Sequence, residues 1–395
     1  MRDGYTSILV IAAILLTITS SANAYRQVID LGPGIAYSIN DSGQVVGCDY
    51  YDQTLPYDYQ GNAIFFDSTG SGANINLGTL GGSKSCACSI NNHGQIVGKA
   101  DDSSFYSVAC LFDPTGNGVN KKINEYSYGS SSASSINDKG YVVGHTTIEI
   151  RNGPYIFNSI HASYFTPPSH PGGSYYACDL GTLGGDESYA YSNNNSGQVV
   201  GWAYTTSLGS RFHACLFDTP RGDNNIDLGT LTGDSSIAYS INDYGWIVGQ
   251  ASVTSNSLIY LDHACLFDPT GGGDNTDLGI LAGYANSVAS FINNNNQIVG
   301  WVTSSLSSSP YYNHGQRACL FDPSGNGNNI DLNNLIVPLS GWVLNEARCI
   351  NNNGWIVGTG TLNGESHAFL LIPEPASALL FALGSFFIVS RCKRR

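Results

Sequence analysis

A nine-residue phrase occurs seven times in this chain and constrains its fold more than any other feature. The clearest copy is INDYGWIVG at residues 241–249. The second residue of every copy is asparagine, and these residues are Asn40, Asn91, Asn137, Asn194, Asn242, Asn293 and Asn351. Their successive spacings are 51, 46, 57, 48, 51 and 58 residues. A repeat of this period is typical of a solenoid, a propeller or an array.

Each copy of the phrase predicts two strands joined by a tight turn. Apolar residues precede an Asn-Asn/Asp-x-Gly cluster, and β-branched residues follow it. Asn and Asp side chains bond to their own turn, and Gly takes positive φ without a steric clash. In one copy Asn296 occupies the Gly position, and Asn tolerates that backbone better than most residues do. The phrase is therefore interpreted as a β-hairpin.

Each period contains four strand-like runs, which we call A, B, C and D. In residues 236–282 they are 237–241, 246–253, 263–267 and 276–281. Four strands in about 50 residues is the size of one β-propeller blade. No helical periodicity appears between these runs, so the body is predicted to be all-β.

The two ends of the repeated body predict a closed ring. Residues 27–32 form a D run that has no A, B or C run before it. The last repeat has A, B and C runs up to residue 371 but no D run after them. A linear β-solenoid would not need this permutation, whereas a ring closed in this way leaves few free strand edges. We predict a seven-bladed β-propeller of four-stranded antiparallel blades, closed by the N-terminal strand pairing into the last blade.

Residues 1–24 are predicted to be a secretory signal peptide. They have a charged start, an apolar run and the small-x-small end Ala22-Asn23-Ala24. Signal peptidase would cut after Ala24. The alternative is a membrane anchor, but the apolar run is shorter than the about 20 residues that a span needs.

Residues 373–395 differ from the body in composition. Pro373-Glu374-Pro375 precedes an apolar stretch, and the chain ends in Arg391, Cys392, Lys393, Arg394 and Arg395. An apolar run before a basic cluster is typical of an inner-membrane tail with its positive end inside the cell. The three parts in this order resemble a PEP-CTERM sorting signal, whereas an ordinary tail anchor would not need Pro-Glu-Pro.

That resemblance implies a destination and a second processing partner. An exosortase-type membrane protease would recognise and cut the chain near Pro373–Pro375. The tail would then be a transient inner-membrane anchor. The mature protein would move to the cell surface or the extracellular matrix of a Gram-negative bacterium.

The repeats in residues 25–372 resemble the HAF family of extracellular repeat proteins. His367-Ala368-Phe369 spells the family's name, residues 213–215 and 263–265 read His-Ala-Cys, and the seven-copy phrase is the family's other motif. The resemblance implies an exported repeat protein and assigns no catalytic residues.

The charge balance excludes two classes of partner. The chain has a formal net charge of −14, and only 12% of its residues are charged. Nucleic acids and anionic membrane surfaces both attract basic patches, so we expect neither as a partner.

The histidines of the repeat are predicted to be structural. His161, His213, His263 and His367 share one slot at the start of run C. Other copies place Asn62, Val108 and Arg317 there, and the spacing matches no zinc pattern. We therefore expect neither a metal site nor a catalytic site at these histidines.

The cysteines are not expected to form disulfides, and the C–D connections are explained as ordinary turns. Cys110, Cys215, Cys265 and Cys319 occupy one position in different blades, too far apart for disulfides, and are predicted to be small buried hydrophobes. Connections such as 268–274 carry usually one carboxylate around Pro-Gly turns. We expect no cofactor, and calcium at these Asp/Gly-rich loops is the alternative.

No catalytic residues stand out, so an enzyme is not expected. Residues 38–43 are similar to a sialidase-type hairpin but one residue longer, and the body lacks that enzyme's arginine cluster.

The B–C and D–A connections lie on one face of a propeller, and they carry the candidate binding residues Tyr50, Tyr57, Tyr155, Tyr311 and Trp342. Tyrosine gives a large contact area at a low entropy cost. The sequence favours a non-catalytic binding module for exopolysaccharide or a surface protein, and a purely structural matrix component is the alternative.

Overall fold

The computed structural model describes residues 25–49, 61–124, 129–152, 155–170, 173–206, 211–220, 222–254, 261–304 and 315–373. The predicted signal peptide with Ala24 lies outside these residues. So do Glu374, Pro375 and the basic end formed by Arg391, Lys393, Arg394 and Arg395. Pro373 is the last residue of the final strand.

The described residues form seven four-stranded antiparallel sheets, which are the blades of a propeller. The first strand is β1 (Tyr25–Pro33). Blade 1 contains β2 (Ile35–Ile39), β3 (Val45–Cys48), β4 (Ala63–Phe66) and β5 (Ile75–Gly78). Blade 2 contains β6 (Gly81–Ile90), β7 (Ile96–Asp102), β8 (Ser107–Phe112) and β9 (Lys121–Lys122). Blade 3 contains β10 (Ser131–Ile136), β11 (Val142–Asn152), β12 (Tyr155–Thr166) and β13 (Tyr176–Asp179).

The remaining blades repeat the same strand order. Blade 4 contains β14 (Ser188–Asn193), β15 (Val199–Tyr204), β16 (Phe212–Phe217) and β17 (Ile226–Asp227). Blade 5 contains β18 (Ser236–Ile241), β19 (Ile247–Ser252), β20 (Asp262–Phe267) and β21 (Thr276–Gly279). Blade 6 contains β22 (Asn286–Ile292), β23 (Ile298–Thr303), β24 (Arg317–Phe321) and β25 (Ile330–Asp331), followed by a 3-10 helix at Leu332–Leu335. Blade 7 contains β26 (Trp342–Ile350), β27 (Ile356–Leu362) and β28 (Glu365–Pro373).

The predicted ring closure is confirmed. Strand β1 pairs antiparallel with β28, with Val28 opposite Leu371 and Asp30 opposite Phe369. It therefore supplies the fourth strand of blade 7. The predicted seven blades and four strands per blade are also confirmed, and the four runs predicted in blade 5 differ from β18–β21 by two residues or fewer at each end.

The apolar core consists of seven clusters, one at each boundary between neighbouring blades. At the boundary of blades 4 and 5, Leu228 and Ala214 of one blade pack against Ala238, Ile247 and Phe267 of the next. The alternating side chains of a strand face the two neighbouring blades in turn. No single central core therefore exists among the described residues, and the ring axis is left free for a channel.

The last glycine of the repeated phrase is required by a close backbone approach. Strand A contains a bulge opposite this glycine, for example between Ala238 and Ser240. A Cβ atom on Gly249 would lie 1.9 Å from the carbonyl oxygen of Ile237. The equivalent glycines at 47, 98, 144, 201, 300 and 358 would clash in the same way. The bulge tilts the innermost strand, so this glycine is part of the geometry that shapes the channel wall.

Asparagines in the C–D connections link each of five blades to the blade before it. Asn74 Nδ2 donates to the carbonyl oxygen of Leu31 in β1 at 2.8 Å. The same bond joins Asn120 to Leu77, Asn225 to Leu180, Asn275 to Leu228 and Asn329 to Leu278. The closing strand is therefore held by blade 1 as well as by blade 7.

Candidate functional site

Seven asparagines form a closed hydrogen-bonded ring around the propeller axis. They are the second residues of the repeated phrase, and each lies in the turn between strands A and B. The Nδ2 of each donates to the backbone carbonyl oxygen of the next at 2.9–3.1 Å, in the order Asn40, Asn91, Asn137, Asn194, Asn242, Asn293, Asn351 and back to Asn40. The Oδ1 of each also accepts backbone N–H bonds within its own turn, as Asn137 does from Lys139 and Tyr141. One side chain thus fixes its turn and joins two blades.

The third residues of the phrase form a second closed ring. The backbone N–H of each donates to the Oδ1 of the next at 2.8–3.0 Å, in the order Asp41, Asn92, Asp138, Asn195, Asp243, Asn294, Asn352 and back to Asp41. The bond from Asn352 to Asp41 spans the closure between the last repeat and the first. The two rings therefore run without a gap across the point where the chain closes.

Asp and Asn alternate in this second ring for an electrostatic reason. Amide Nδ2 groups donate to the outer carboxylate oxygens of neighbouring Asp residues at 2.9–3.3 Å. Two adjacent carboxylates would lack a donor between them and would repel each other. A ring of seven positions can hold at most three non-adjacent carboxylates, and this ring holds Asp41, Asp138 and Asp243.

These turns surround a cavity of about 160 Å³ at one end of the axial channel. Below the rings an apolar collar lines it, formed by Ile39, Ile90, Ile136, Ile241, Ile292 and Ile350. In blade 4 the equivalent residue is Asn193, which donates through Nδ2 to the Tyr141 carbonyl oxygen at 3.0 Å. Its Oδ1 is buried and accepts no hydrogen bond from the described residues. The cavity can hold small polar molecules at an acidic rim.

The channel wall beyond the isoleucine collar, deeper along the axis, is formed by residues that differ between the copies. The A strands of neighbouring blades contact one another all the way around the axis, so they are the innermost strands. An alanine near the centre of each is fully buried. The bulged residue after it is half-buried in every blade, and these residues are Tyr37, Cys88, Ser134, Tyr191, Tyr239, Ser290 and Arg348. The scaffold positions thus repeat closely, whereas the channel-facing positions vary.

One side of the wall carries an arginine between aromatic rings. The guanidinium carbon of Arg348 lies 5.0 Å from the ring centroid of Tyr37 and 5.8 Å from that of Trp301. Arg348 also forms an ion pair with Glu346, which is 5% exposed. Cation–π contacts and a buried carboxylate hold this side chain in place. The arrangement offers polar and aromatic contacts to a bound molecule.

On the opposite side of the wall, Tyr191 adjoins an aromatic cluster at the boundary of blades 3 and 4. Tyr189 lies between Trp202 and His145, with ring centroids 4.8 Å away on both sides. Trp202 Nε1 donates to the Tyr191 hydroxyl at 3.1 Å. Burial, with a contribution from Lys99, lowers the pKa of His145 to about 4. The imidazole is therefore neutral near pH 7, and this part of the wall is uncharged.

Two bulky apolar residues lie exposed on the face of the B–C and D–A connections. Phe105 in the B–C turn of blade 2 is 80% exposed, and Leu339 in the D–A connection before blade 7 is fully exposed. Both have φ of 63°, in the left-handed region that such residues rarely adopt. Exposed apolar residues also occur on the opposite face, for example Val119 and Tyr244, but those have ordinary φ.

Asp102 holds the turn that presents Phe105. Its Oδ1 accepts the backbone N–H groups of Ser104 and Tyr106 at 2.8 and 3.2 Å. Its Oδ2 accepts Lys122 Nζ at 2.6 Å. The hydrogen bond from Lys122 lowers the pKa of the Asp102 carboxyl, which stays ionised as an acceptor. The conformation of Phe105 is therefore imposed by these partly buried polar contacts rather than by its own preference.

The residues predicted to form the binding face have different positions in the structure. Tyr50, Tyr57 and Tyr311 lie outside the described residues. Tyr155 begins β12 and pairs with Asn152 of β11, on the predicted face. Trp342 is half-buried, with its ring centroid 6.3 Å from that of Phe369, so it packs onto the core of blade 7.

The histidine slot forms pairs between strands C and D of one blade. The Nδ1 atoms of His161, His213, His263 and His367 lie 2.8–3.1 Å from carboxylate oxygens of Asp179, Asp227, Asp277 and Asp30. Arg317 occupies the same slot near Asp331. Burial acts to raise the pKa of Asp227, but hydrogen bonds from His213 and the Gly229 N–H outweigh it and lower that pKa. Each pair stabilises the outer half of its blade.

The carboxylates of the C–D connections are saturated by their own turns. Asp322 accepts hydrogen bonds from Ser324 and Asn328, and these lower its pKa to about 2. Hydrogen bonds from Ser71 and Thr69 likewise lower the pKa of Asp67. Within the described residues no group of three His, Cys, Asp or Glu side chains is arranged to hold a metal ion.

Sequence reasoning missed the two rings and the channel wall. A signal for the first ring exists, because Asn is invariant in the second place while its neighbours vary, and a turn alone does not require that. The signal for the wall is variation at one position of the repeat instead of invariance. One position after an invariant Ala changes from Tyr to Cys, Ser or Arg between copies.

The fold and the channel define a seven-bladed β-propeller whose axial channel has variable walls and one end bounded by two hydrogen-bonded rings of Asn and Asp residues. The sequence matches the model of a family described as a protein of unknown function (DUF3466) over residues 13–118 and 223–370. These ranges cover more than half of the chain, so it belongs to this family. No curated protein matches the sequence. The resemblances to the HAF family and to PEP-CTERM signals stay predictions.

As far as the structure describes residues 25–373, no helix has the length and apolar character needed to cross a bilayer.

Proposed function

We propose that this chain is an exported, non-catalytic binding propeller that acts at the cell surface or in the extracellular matrix. Its ligand face is the side of the B–C and D–A connections. The proposed ligand is an exopolysaccharide or a surface protein. The predicted signal peptide and the HAF-like repeats motivate the destination, and no cofactor is part of the proposal.

The observation that carries the binding face is the pair Phe105 and Leu339. Each is apolar, exposed and held at φ of 63° on the same face. Such a conformation costs about 1–3 kcal/mol for a residue other than Gly, Asn or Asp, and it clusters at functional sites. Loops that a rigid scaffold positions often carry binding residues. Because both side chains are exposed, packing within the described structure does not offset this conformational cost. This supports a contact made with another molecule.

The test compares this face with the opposite one. Phe105→Asn and Leu339→Asn remove the apolar groups and suit the left-handed backbone, so the melting temperature should stay the same or rise. We expect the double variant to lose retention on the native cell surface and on isolated exopolysaccharide. The matched control is Val119→Asn with Tyr244→Asn, which removes exposed apolar groups from the other face and should leave retention unchanged.

A second variant tests the tyrosines predicted from the sequence. If these tyrosines form the ligand face, replacing Tyr50, Tyr57, Tyr155 and Tyr311 with Ser should weaken retention while stability stays nearly intact, because surface substitutions usually cost under about 0.5 kcal/mol each. If both sets of variants fold and are retained like the parent, the binding face is wrong. The alternative, a structural matrix component without a ligand, would then be favoured.

The sorting part of the proposal has its own test. Exosortase-type cleavage near Pro373-Glu374-Pro375 would remove the apolar stretch and the basic end. Mass spectrometry of the protein released by native cells should then find no peptide from residues 376–395. Replacing Pro373-Glu374-Pro375 by three alanines should leave the chain in the membrane fraction. Secreted chains that keep the tail would contradict this processing.

A further inference from the structure

The three aspartates of the second ring keep acceptor sites that the described residues do not fill. Each of Asp41, Asp138 and Asp243 accepts one backbone N–H at Oδ1 and two amide Nδ2 groups at Oδ2. A carboxylate offers about four acceptor sites, so about one stays free at each residue. The cavity at the A–B end of the axis is therefore bordered by carboxylates that can still accept hydrogen bonds.

The charge of these carboxylates is not balanced by ion pairs. All of their hydrogen-bond donors are neutral, and the ion pairs found among the described residues involve other carboxylates. In the seven copies of the phrase Lys139 is the one Lys or Arg residue, and its side chain is exposed. Asn residues separate the aspartates, so negative charge lies on three sides of the axis. This arrangement attracts a cation to the axis.

An independent observation in the same cavity points to a missing hydrogen-bond donor. Asn193 lines the cavity at the level of the isoleucine collar and is only 7% exposed. Its Nδ2 donates to the Tyr141 carbonyl oxygen, but its Oδ1 accepts no hydrogen bond from the described residues. Buried acceptors almost always have a donor, and ordered water or a ligand supplies it where the protein does not. The other six blades have isoleucine here, so only blade 4 offers this acceptor.

The size of the cavity suits a cation that keeps its water shell. A buried water needs about 10–15 Å³ of space, so a cavity of about 160 Å³ holds an ion with its first shell of waters. Within the described residues no three His, Cys, Asp or Glu side chains are arranged to hold a metal ion directly. Mg²⁺ gives up its waters reluctantly and usually keeps several of them when it binds to protein.

We propose that the axial cavity binds one hydrated divalent cation of the Mg²⁺ type, whose waters donate to Asp41, Asp138, Asp243 and Asn193. The cation neutralises the three carboxylates and joins the turns of blades that are not neighbours. The site lies on the face of the A–B turns, so it is independent of the proposed ligand face.

The first experiment measures Mg²⁺ binding to the purified full chain by calorimetry and thermal unfolding, with NaCl holding the ionic strength constant. We expect one site per chain. Above saturation the melting midpoint should rise by about 2 °C for each tenfold increase in MgCl₂ concentration, because the cation binds the folded state only. No binding, or an equal rise with NaCl alone, would overturn the proposal.

A competition experiment tests whether the waters stay on the ion. Hexaamminecobalt(III) carries six ammonia ligands that do not exchange, so it can only donate hydrogen bonds from its shell. We expect it to displace Mg²⁺ from the site and to raise the melting midpoint in the same way. Mg²⁺ binding that hexaamminecobalt(III) does not displace would mean direct ligation and would contradict the proposed site.

The charge of the ring is tested by replacing Asp41, Asp138 and Asp243 together with Asn. An all-asparagine ring keeps the Oδ1 acceptors, so the variant should fold, and its Mg²⁺ binding should be lost. The matched control replaces Asp186, Asp223 and Asp274 with Asn, which removes three exposed carboxylates elsewhere and should leave Mg²⁺ affinity unchanged. Equal affinities of the two triple variants would overturn the site.

A single substitution tests the site without changing its charge. Asn193→Ile completes the isoleucine collar and removes the unfilled acceptor, so Mg²⁺ affinity should fall about tenfold. The control is Asn225→Ala, which also removes an amide-to-carbonyl bond between blades 4 and 3 but lies away from the cavity. It should bind Mg²⁺ like the parent. Parental affinity in folded Asn193→Ile would contradict the assigned position of the cation.

Discussion

A single asparagine per repeat performs several tasks in this propeller. Asn137 is buried, and its side chain accepts two backbone N–H groups of its own turn. It also donates to the carbonyl oxygen of Asn194 in the next blade at 2.9 Å. Aspartate at this position could accept but not donate, and serine is too short to span both contacts. This explains why the residue is the same in all seven copies.

Asn137→Ala should lower stability clearly more than an ordinary polar substitution. It removes three hydrogen bonds and leaves buried backbone groups without their partner, so we expect a loss of about 3 kcal/mol. Denaturant unfolding of the full chain measures it. The control is the exposed Asn117→Ala, which should change stability by less than about 0.5 kcal/mol. Equal unfolding curves for the two variants would mean that the ring adds nothing to stability.

The alternation of Asp and Asn predicts a charge-dependent effect. Asn195→Asp would place a carboxylate between Asp138 and Asp243 and remove the two bonds that Asn195 Nδ2 donates to them. Repulsion raises the pKa of the new carboxyl in the folded state, so its destabilising effect appears as pH rises through about 4 and disappears at lower pH.

Thermal unfolding of Asn195→Asp and the parent should therefore differ at pH 7, and the difference should shrink at pH 3 and in high salt. Asn117→Asp, on an exposed loop, is the control and should show no such trend. A pH-independent difference would point to lost packing instead of repulsion.

At the scale of single elements, four blades depend on His–Asp pairs that connect their outer strands. Strand β17 has only two residues, and His213 of β16 bonds to Asp227 within it. A strand this short provides few backbone bonds, so the side-chain pair contributes a large share of its attachment. The same pair recurs in blades 3, 5 and 7.

Asp227→Asn tests this element through pH. The folded-state pKa of Asp227 is lowered, so its contribution to stability is present above about pH 4 and is lost as pH falls through the folded-state value. The variant keeps an acceptor of the same shape but cannot titrate. We expect the melting midpoint of the variant to fall less steeply than that of the parent between pH 4 and pH 2. The exposed Asp274→Asn should retain the parental slope.

At the scale of the whole molecule, ring closure depends on one N-terminal strand. Strand β1 pairs with β28, contributes the buried Leu31 to the core between blades 7 and 1, and accepts a bond from Asn74 of blade 1. No other described strand is separated so far in sequence from the rest of its blade. The closing contacts are therefore the longest-range ones in the fold.

Deleting residues 25–33 should expose the edge of β28 and open the core that Leu31 fills, so the melting temperature should fall sharply. A synthetic peptide of residues 25–33 should restore part of the loss when added in excess, because it can pair with β28. Asn74→Ala, which removes only one bond to β1, should cause a much smaller decrease. An unchanged melting curve for the deletion would contradict closure by this strand.

The sequence by itself determined the number of blades, the four strands of each and the strand that closes the ring. This information is local, since it resides in turn residues such as Gly245, in β-branched runs and in an unmatched D run at residues 27–32. It also indicated that Cys265 and the histidine slot are structural, because those positions repeat with the blade.

Only the tertiary structure decided what the variable positions do. In the sequence, Asp138 and Asn195 are both ordinary turn residues. Their alternation has a physical reason only in the folded ring, where seven turns meet around one axis and each carboxylate needs amide neighbours. The left-handed backbone of Phe105 is imposed by Asp102 and Lys122 and contradicts the residue's own preference. Local patterns specify the repeating unit, whereas contacts between units arise from closure, and closure is a property of the whole chain.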